Sequence, residues 1–287
     1  DYYNVYDLLT EEERLVRETV ADFVDNEVLP VIEKHYQAGT FPMDLVEKMA
    51  DLGVFGITLP QEYGCAGMNN VCYGLAMQEL ERGDSGVRSF ASVQSSLVMY
   101  PIYTYGSEEI RQKWLPKLAS GKAIGCFGLT EPDFGSNPSG MITNAKKIDG
   151  GYLLNGAKMW ITNGPDAHTY VIYAKTDLSC QASKGMTAFI VERDWQGFSR
   201  SPKLDKLGMR GSNTCELVFN DCFVPEENVL GHVGGGAKVL MSGLDYERIV
   251  LAAGPVGVMQ ACMDIVIPYM HERKQFGQAI GEFQLMQ

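Results

Sequence analysis

The 287-residue sequence has no Cys-x-x-Cys pair, no His-Glu-x-x-His run, only four histidines, and 24 cationic residues against 36 acidic ones. Missing ligand pairs of this spacing argue against a zinc ribbon or a zinc-protease helix, and each His reads as a surface or packing residue, so no metal site is expected. Seven cysteines, at 65, 72, 126, 180, 215, 222 and 262, are odd in number. They argue against a disulfide framework and for a reducing compartment, and read as small buried hydrophobes. A net charge of −12 repels nucleic acid and anionic lipid at long range, so a phosphate-bearing ligand needs a local basic or backbone-amide site. No apolar run reads as a membrane span and no leader precedes Asp1, which suits a soluble protein of a bacterial cytoplasm or mitochondrial matrix without membrane insertion. Asp1 is not Met and Gln287 stops inside a helical pattern, so the chain reads as trimmed at both ends.

What is present is a 45% hydrophobic chain, enough for one large or several smaller cores. Thr10 and Glu13 form a capping box, after which Leu15, Val16, Val20, Phe23, Val24 and Val28 recur at helical spacing until Pro30. Further helices are expected from Met43 to about Leu52, from Asn70 to Arg82, from Ser89 to Tyr103 and after Ser107. From about Ile124 to Leu230 short runs at 125–129, 151–154, 169–174, 186–191 and 216–219 alternate with turns, which predicts a β-barrel or sandwich. Helical periodicity returns from Val239 to about Tyr269, kinked near Gly254-Pro255, and again from about Phe283. The fold class is α+β with three blocks: a helical domain over 1–123, a β-domain over 124–232 and helices over 233–287.

Trp160-Ile161-Thr162-Asn163-Gly164 reads as a strand ending in a tight turn, which places a flat ring and a hydroxyl at a domain rim. Phe127-Gly128-Leu129-Thr130-Glu131-Pro132 runs from a strand into a loop continuing to Ser136, whose amides and hydroxyls suit an anion or a ring edge. It is not a Gly-x-Gly-x-x-Gly fingerprint, and the glycines at 231–236 with Lys238 do not make a P-loop. Glu247 lies on a helix beside Arg248; such a pair is usually solvated, but apolar Leu244, Val250 and Leu251 around it suit a buried carboxylate acting as a base. Arg273-Lys274, taken alone, would neutralise a helix C-terminus.

Together with Lys-Leu-Gly-Met-Arg-Gly-Ser at 206–212, Val-Pro-Glu-Glu-Asn-Val-Leu-Gly at 224–231 and Glu-Arg-Lys-Gln-Phe-Gly at 272–277, these stretches resemble the acyl-CoA dehydrogenase family over essentially the whole chain. The resemblance implies an N-terminal helical domain, a middle β-barrel domain and a C-terminal four-helix bundle that is incomplete here. It implies FAD, with Phe127, Leu129, Thr130, Ser136, Trp160, Ile161, Thr162 and Phe276 binding it, and Arg273 and Gln284 reaching the FAD of a neighbouring subunit in a homo-oligomer, a tetramer in the family. It further implies an acyl-CoA substrate, a base that takes the α-proton while flavin N5 takes the β-hydride, and electron-transferring flavoprotein as acceptor. If 287 residues is the whole molecule, weak FAD retention or aggregation is expected.

The substrate signals divide. Before about Met141 the sequence resembles glutaryl-CoA dehydrogenase, in which Glu81, Arg88 and Ser89 match residues that hold a distal carboxylate. After it, 203–217 and 241–248 resemble isovaleryl-CoA dehydrogenase, whose base lies at Glu247, with Asp245, Tyr246 and Arg248 beside the substrate and Ser183-Lys184 where that enzyme holds CoA with Ser-Arg. The reading leans to an isovaleryl-like acyl chain, with glutaryl-CoA as the alternative. A flavin oxidase and a non-catalytic acyl-CoA or flavin-binding fragment are the further rivals.

Overall fold

The computed structural model describes residues 3–180 and 183–286. Thr10 caps α1 (Glu11–Phe23), accepting from the Glu13 amide while the Glu13 side chain accepts from the Thr10 amide. The helix does not stop near Pro30 as predicted. A π-helical turn (Val24–Val28) leads into α2 (Leu29–Ala38), because Pro30 falls in the first turn, where its missing N–H costs no bond. Then come α3 (Asp44–Asp51), α4 (Asn70–Gly83) and α5 (Ser85–Ser92). The chain continues through a second π-helical turn (Val93–Met99), α6 (Tyr100–Tyr105) and α7 (Glu108–Ala119). Asn69, Asp84 and Ser107 each cap a helix through a side-chain oxygen.

The β-region is one eight-stranded sheet. Its strands are β1 (Gly125–Gly128), β2 (Asn144–Ile148), β3 (Gly151–Thr162), β4 (Thr169–Lys175), β5 (Met186–Glu192), β6 (Phe198–Arg200), β7 (Thr214–Pro225) and β8 (Val229–Leu230). They run in the order β6-β7-β3-β2-β4-β5-β8, with β1 parallel to β4. Periodicity alone marked only the start of β3 and missed β2, β6 and β8. A Gly at position 156 and a bulge after Lys158 interrupt the alternation of β3 while leaving its pairing to β7 intact. One core joins the helices to the sheet, for Val93, Val98 and Met99 pack with Cys126, Tyr173 and Phe189.

Two long helices follow, α8 (Gly236–Leu251) and α9 (Ala253–Glu272), and Gly254 and Pro255 lie just past their joint. In place of the predicted helix near Phe283 stand a hairpin of β9 (Lys274–Gln275) and β10 (Gln278–Ala279) and a 3-10 turn at Gln284–Met286. The expectation that no apolar run reaches membrane-span length is also corrected. By length and composition Gly236–Glu272 does, with Ile249, Met259, Ile265 and Tyr269 exposed. Gly254-Pro255 and Gln260 interrupt the run in the sequence; an apolar surface of this kind is what a helix presents to neighbouring helices. Cys180 and Cys262, expected buried, are exposed, because one lies on a surface loop and the other on the outer side of α9.

Candidate active site

A cavity of about 120 Å³ opens where the end of β1, the end of β3 and the π-turn Val93–Met99 meet. Phe127, Leu129, Thr130, Trp160, Ile161 and Thr162 line it with Val93 and Leu97. Six predicted cofactor residues are thus brought together, and Val93 and Leu97 are additions from a helix that sequence reasoning had treated only as core. Trp160 sits in the β3 bulge at φ 63° with its side chain 57% exposed. A bulky residue held in the left-handed region costs on the order of 1–3 kcal/mol, and here that conformation turns an indole out over an apolar floor. Met159 N–H donates to the Thr130 carbonyl at 2.8 Å, tying the bulge to the Thr-Glu-Pro loop. Asn163, also at positive φ, is buried and donates to the Phe90 and Gly125 carbonyls. The hydroxyls of Thr130 and Thr162 have no partner among the described residues. A flat ring, an apolar floor and two free hydroxyls fit a planar heteroaromatic group with polar edges.

Beneath this cavity lies a residue that sequence reasoning missed. Lys158 is fully buried, its Nζ donating to Glu131 Oε1 at 2.8 Å and to the Leu129 carbonyl at 3.1 Å. Its stem passes Gly128, where a Cβ would collide with Ile172. Glu131 also accepts from the amides of Ile142 and Thr143, at 2.7 and 3.0 Å. Burial lowers the Lys158 ammonium to about 8 against the pull of Glu131. Burial pushes the Glu131 carboxyl up, yet Lys158 and the hydrogen bonds outweigh it, so the net position is below the usual carboxylate range. The signal available was a lysine two residues before Trp160, the one charged residue of β3.

The second cluster lies on the other side of the π-turn. Glu247, on the inner face of α8 with Gly243 and Val250, is 8% exposed. Its carboxylate accepts from the Ser96 hydroxyl, and burial pushes its pKa up while Ser96, Ser92 and Arg88 pull it back part of the way. Arg88 is buried too. Its Nε and Nη2 grip both oxygens of Glu81, and its Nη1 donates to Ser92 Oγ at 3.1 Å. Gly254 packs directly on the Glu81 carboxylate, leaving no room for a side chain. A carboxylate raised by burial and hydrogen-bonded only by hydroxyls is suited to taking up a proton.

Sequence models of the acyl-CoA dehydrogenase N-terminal, middle and C-terminal domains match residues 10–122, 126–222 and 234–287. The mitochondrial 2-methylacyl-CoA dehydrogenase of Solanum tuberosum is 51% identical over 282 residues, 98% of this chain and 68% of that protein. The chain belongs to the acyl-CoA dehydrogenase family. The mitochondrial isovaleryl-CoA dehydrogenase of the same plant is 49% identical, over 98% of this chain and 68% of its own length. A glutaryl-CoA dehydrogenase of Mycobacterium smegmatis, solved with FADH2, superposes with a TM-score of 0.93 at 42% identity, over 99% of this chain and 72% of that one. An acyl-CoA dehydrogenase is a flavin oxidoreductase acting on a CH–CH bond, and its cofactor is FAD.

Of the remaining predicted residues of this acyl-CoA dehydrogenase, Tyr246 lies close to Glu247, and most of the others stand apart from both clusters. Asp245 and Arg248 stand on the outer face of α8, more than 60% exposed, and pair with each other at 3.1 Å. Helical spacing sets them about 100° or more from Glu247, so they do not share its buried face. The Tyr246 hydroxyl is bonded to Thr58 at 2.9 Å and to Asn70 at 3.1 Å, its ring between Tyr73 and Tyr100, so it is spent on the N-terminal helices. Ser89 is half-buried; Ser136, Ser183, Lys184, Arg273, Phe276 and Gln284 are exposed and line neither the cavity nor the Glu247 cluster.

Proposed function

We propose that this acyl-CoA dehydrogenase oxidises a short branched-chain monocarboxylic acyl-CoA of the isovaleryl type to the trans-2-enoyl-CoA, with Glu247 removing the α-proton. The observation that carries this reading is the pairing of Arg88. A distal carboxylate would need an unengaged cation, whereas here Glu81 already holds the guanidinium on two nitrogens and Ser92 on a third. With Glu247 close by, a dicarboxylate tail would bring a third negative charge toward one positive one. An apolar tail meets no such cost.

When bound, FAD supplies the acceptor for the hydride that leaves Cβ. The chain's own residues do the rest. Leu129, Thr130 and Thr162 would hold the flavin by polar atoms, Trp160, Ile161 and Phe127 would pack against it, and Ser136 would meet the acyl-CoA and pyrophosphate. Glu247, whose carboxyl is pushed up by burial, would accept the α-proton, and the low polarity around it would strengthen every charge interaction as the enolate forms. Ser183 and Lys184 would meet the CoA, Phe276 the FAD, and Arg273 and Gln284 the FAD of a second subunit in a homotetramer. Electron-transferring flavoprotein is the proposed acceptor, in a matrix or bacterial cytoplasm, and the domains are proposed to divide at 123 and 232.

Anaerobic titration of the FAD-loaded protein separates the substrates. Bleaching of flavin absorbance by isovaleryl-CoA and none by glutaryl-CoA is expected; the reverse would overturn the acyl assignment and restore Arg88 as a carboxylate holder.

A further inference from the structure

The Ser96 hydroxyl faces two acceptors with one proton. Its Oγ lies 2.7 Å from the Ser92 carbonyl and against the Glu247 carboxylate, and Ser92 and Ser96 are both buried to 1% or less. A buried hydroxyl carries one donor and two acceptor lone pairs, so it can serve either protonation state of a neighbour without moving its heavy atom. We propose that Ser96 is a positioning residue whose O–H reverses with the state of Glu247, keeping the carboxyl hydrogen-bonded both before and after it takes the substrate proton. This rests on Glu247 being the base.

In the ionised state Ser96 donates to Glu247 Oε2, a charge-assisted bond. Once Glu247 carries the proton, its own O–H donates to Ser96 Oγ, and the Ser96 proton turns to the Ser92 carbonyl. No proton is lost or gained in the exchange beyond the one taken from substrate. The π-turn makes the arrangement possible: Ser92 and Ser96 recur at a spacing of four toward α8, while Val93 and Leu97, one residue on, face the flavin cavity. One turn of backbone therefore fixes the base and the cofactor wall together, in keeping with the placement of π-bulges at functional sites. The other charged or titratable groups facing Glu247 are Tyr73 from α4, Arg88 from α5 and Tyr246 from α8. Arg88 is tied to Glu81, and Tyr105 on α6 is bonded to Ser242 instead.

The test compares wild type, Ser96→Ala and Ser96→Thr, all FAD-loaded. The Glu247 carboxyl is titrated by carbon-13 NMR, with its signal assigned against Glu247→Gln, and the acid limb of the anaerobic flavin-reduction rate is followed beside it. Losing the donor should raise the Glu247 titration in Ser96→Ala by about one pH unit, with the acid limb moving equally and Ser96→Thr restoring both. If Ser96→Ala does not fold, Ser96→Cys, a weaker donor of similar size, should show the same rise in smaller measure. A carboxyl titration unchanged in the folded variants overturns the inference. A carboxyl titration that moves while the acid limb stays put upholds the Ser96 bond but removes Glu247 as the base.

Discussion

Two buried carboxylates, Glu131 next to the cavity loop and Glu247 across the π-turn from it, are held in opposite ways. Glu131 has a lysine, two backbone amides and a net downward shift; Glu247 has hydroxyls, a cation already shared with Glu81 and a net upward shift. A buried ion pair completed by amides is locked in one protonation state. A buried carboxylate lacking its own counter-ion is poised to change state. The first arrangement holds the Thr-Glu-Pro loop in shape, and the second is the one we propose as the base; on that proposal burial alone does not mark a base, and the missing partner does.

The comparison can be broken by exchanging charges on either side. Glu247→Gln should lower the anaerobic flavin-reduction rate by about 10²–10⁴-fold with FAD still bound, as removal of a general base does; stopped-flow absorbance checks it. Lys158→Met leaves Glu131 buried without its cation and should cost about 3–5 kcal/mol in denaturant unfolding, with FAD lost more readily because the Leu129 carbonyl is freed. Adding Glu131→Gln should recover much of it. Arg88→Met should cost a similar amount through the orphaned Glu81, again recovered by Glu81→Gln.

A smaller effect of the opposite sign belongs to Glu247. Its folded pKa is raised, so the stability it contributes is full below the ordinary carboxylate value of 4.5 and is lost as pH rises through the folded value. Glu247→Gln should therefore raise Tm at neutral pH, with the gain fading as pH falls toward 4.5. Equal stability of the two proteins at neutral pH would contradict the asymmetry between the carboxylates. At Trp160, Gly should relieve backbone strain worth about 1 kcal/mol while loosening FAD, seen as higher Tm without cofactor and a weaker Kd with it.

The three-block organisation was legible in local signals, capping and alternation, and six of the eight cavity residues through the short motifs that carry the family resemblance. What was illegible rests on contacts distant in sequence. Lys158 finds Glu131 across 27 residues and Ser96 finds Glu247 across 151. The π-turns leave helical periodicity nearly unchanged, so Ser89 to Tyr103 reads as one helix although its middle turn aims Ser96 and Leu97 differently. Arg88 was legible as a buried cation, but its engagement by Glu81, seven residues earlier, was not. That Asp245 and Arg248 stand on the outer face of α8 while Glu247 is buried was not legible either, because adjacency in sequence is not adjacency on a helix face.

The proton step can be isolated from hydride transfer by following loss of deuterium from Cα of α-deuterated isovaleryl-CoA into water under anaerobic conditions. Wild type and a folded Lys158→Met variant should both exchange, and Glu247→Gln should not. Exchange that persists at wild-type rate in Glu247→Gln would place the base elsewhere and undo the distinction between the two carboxylates.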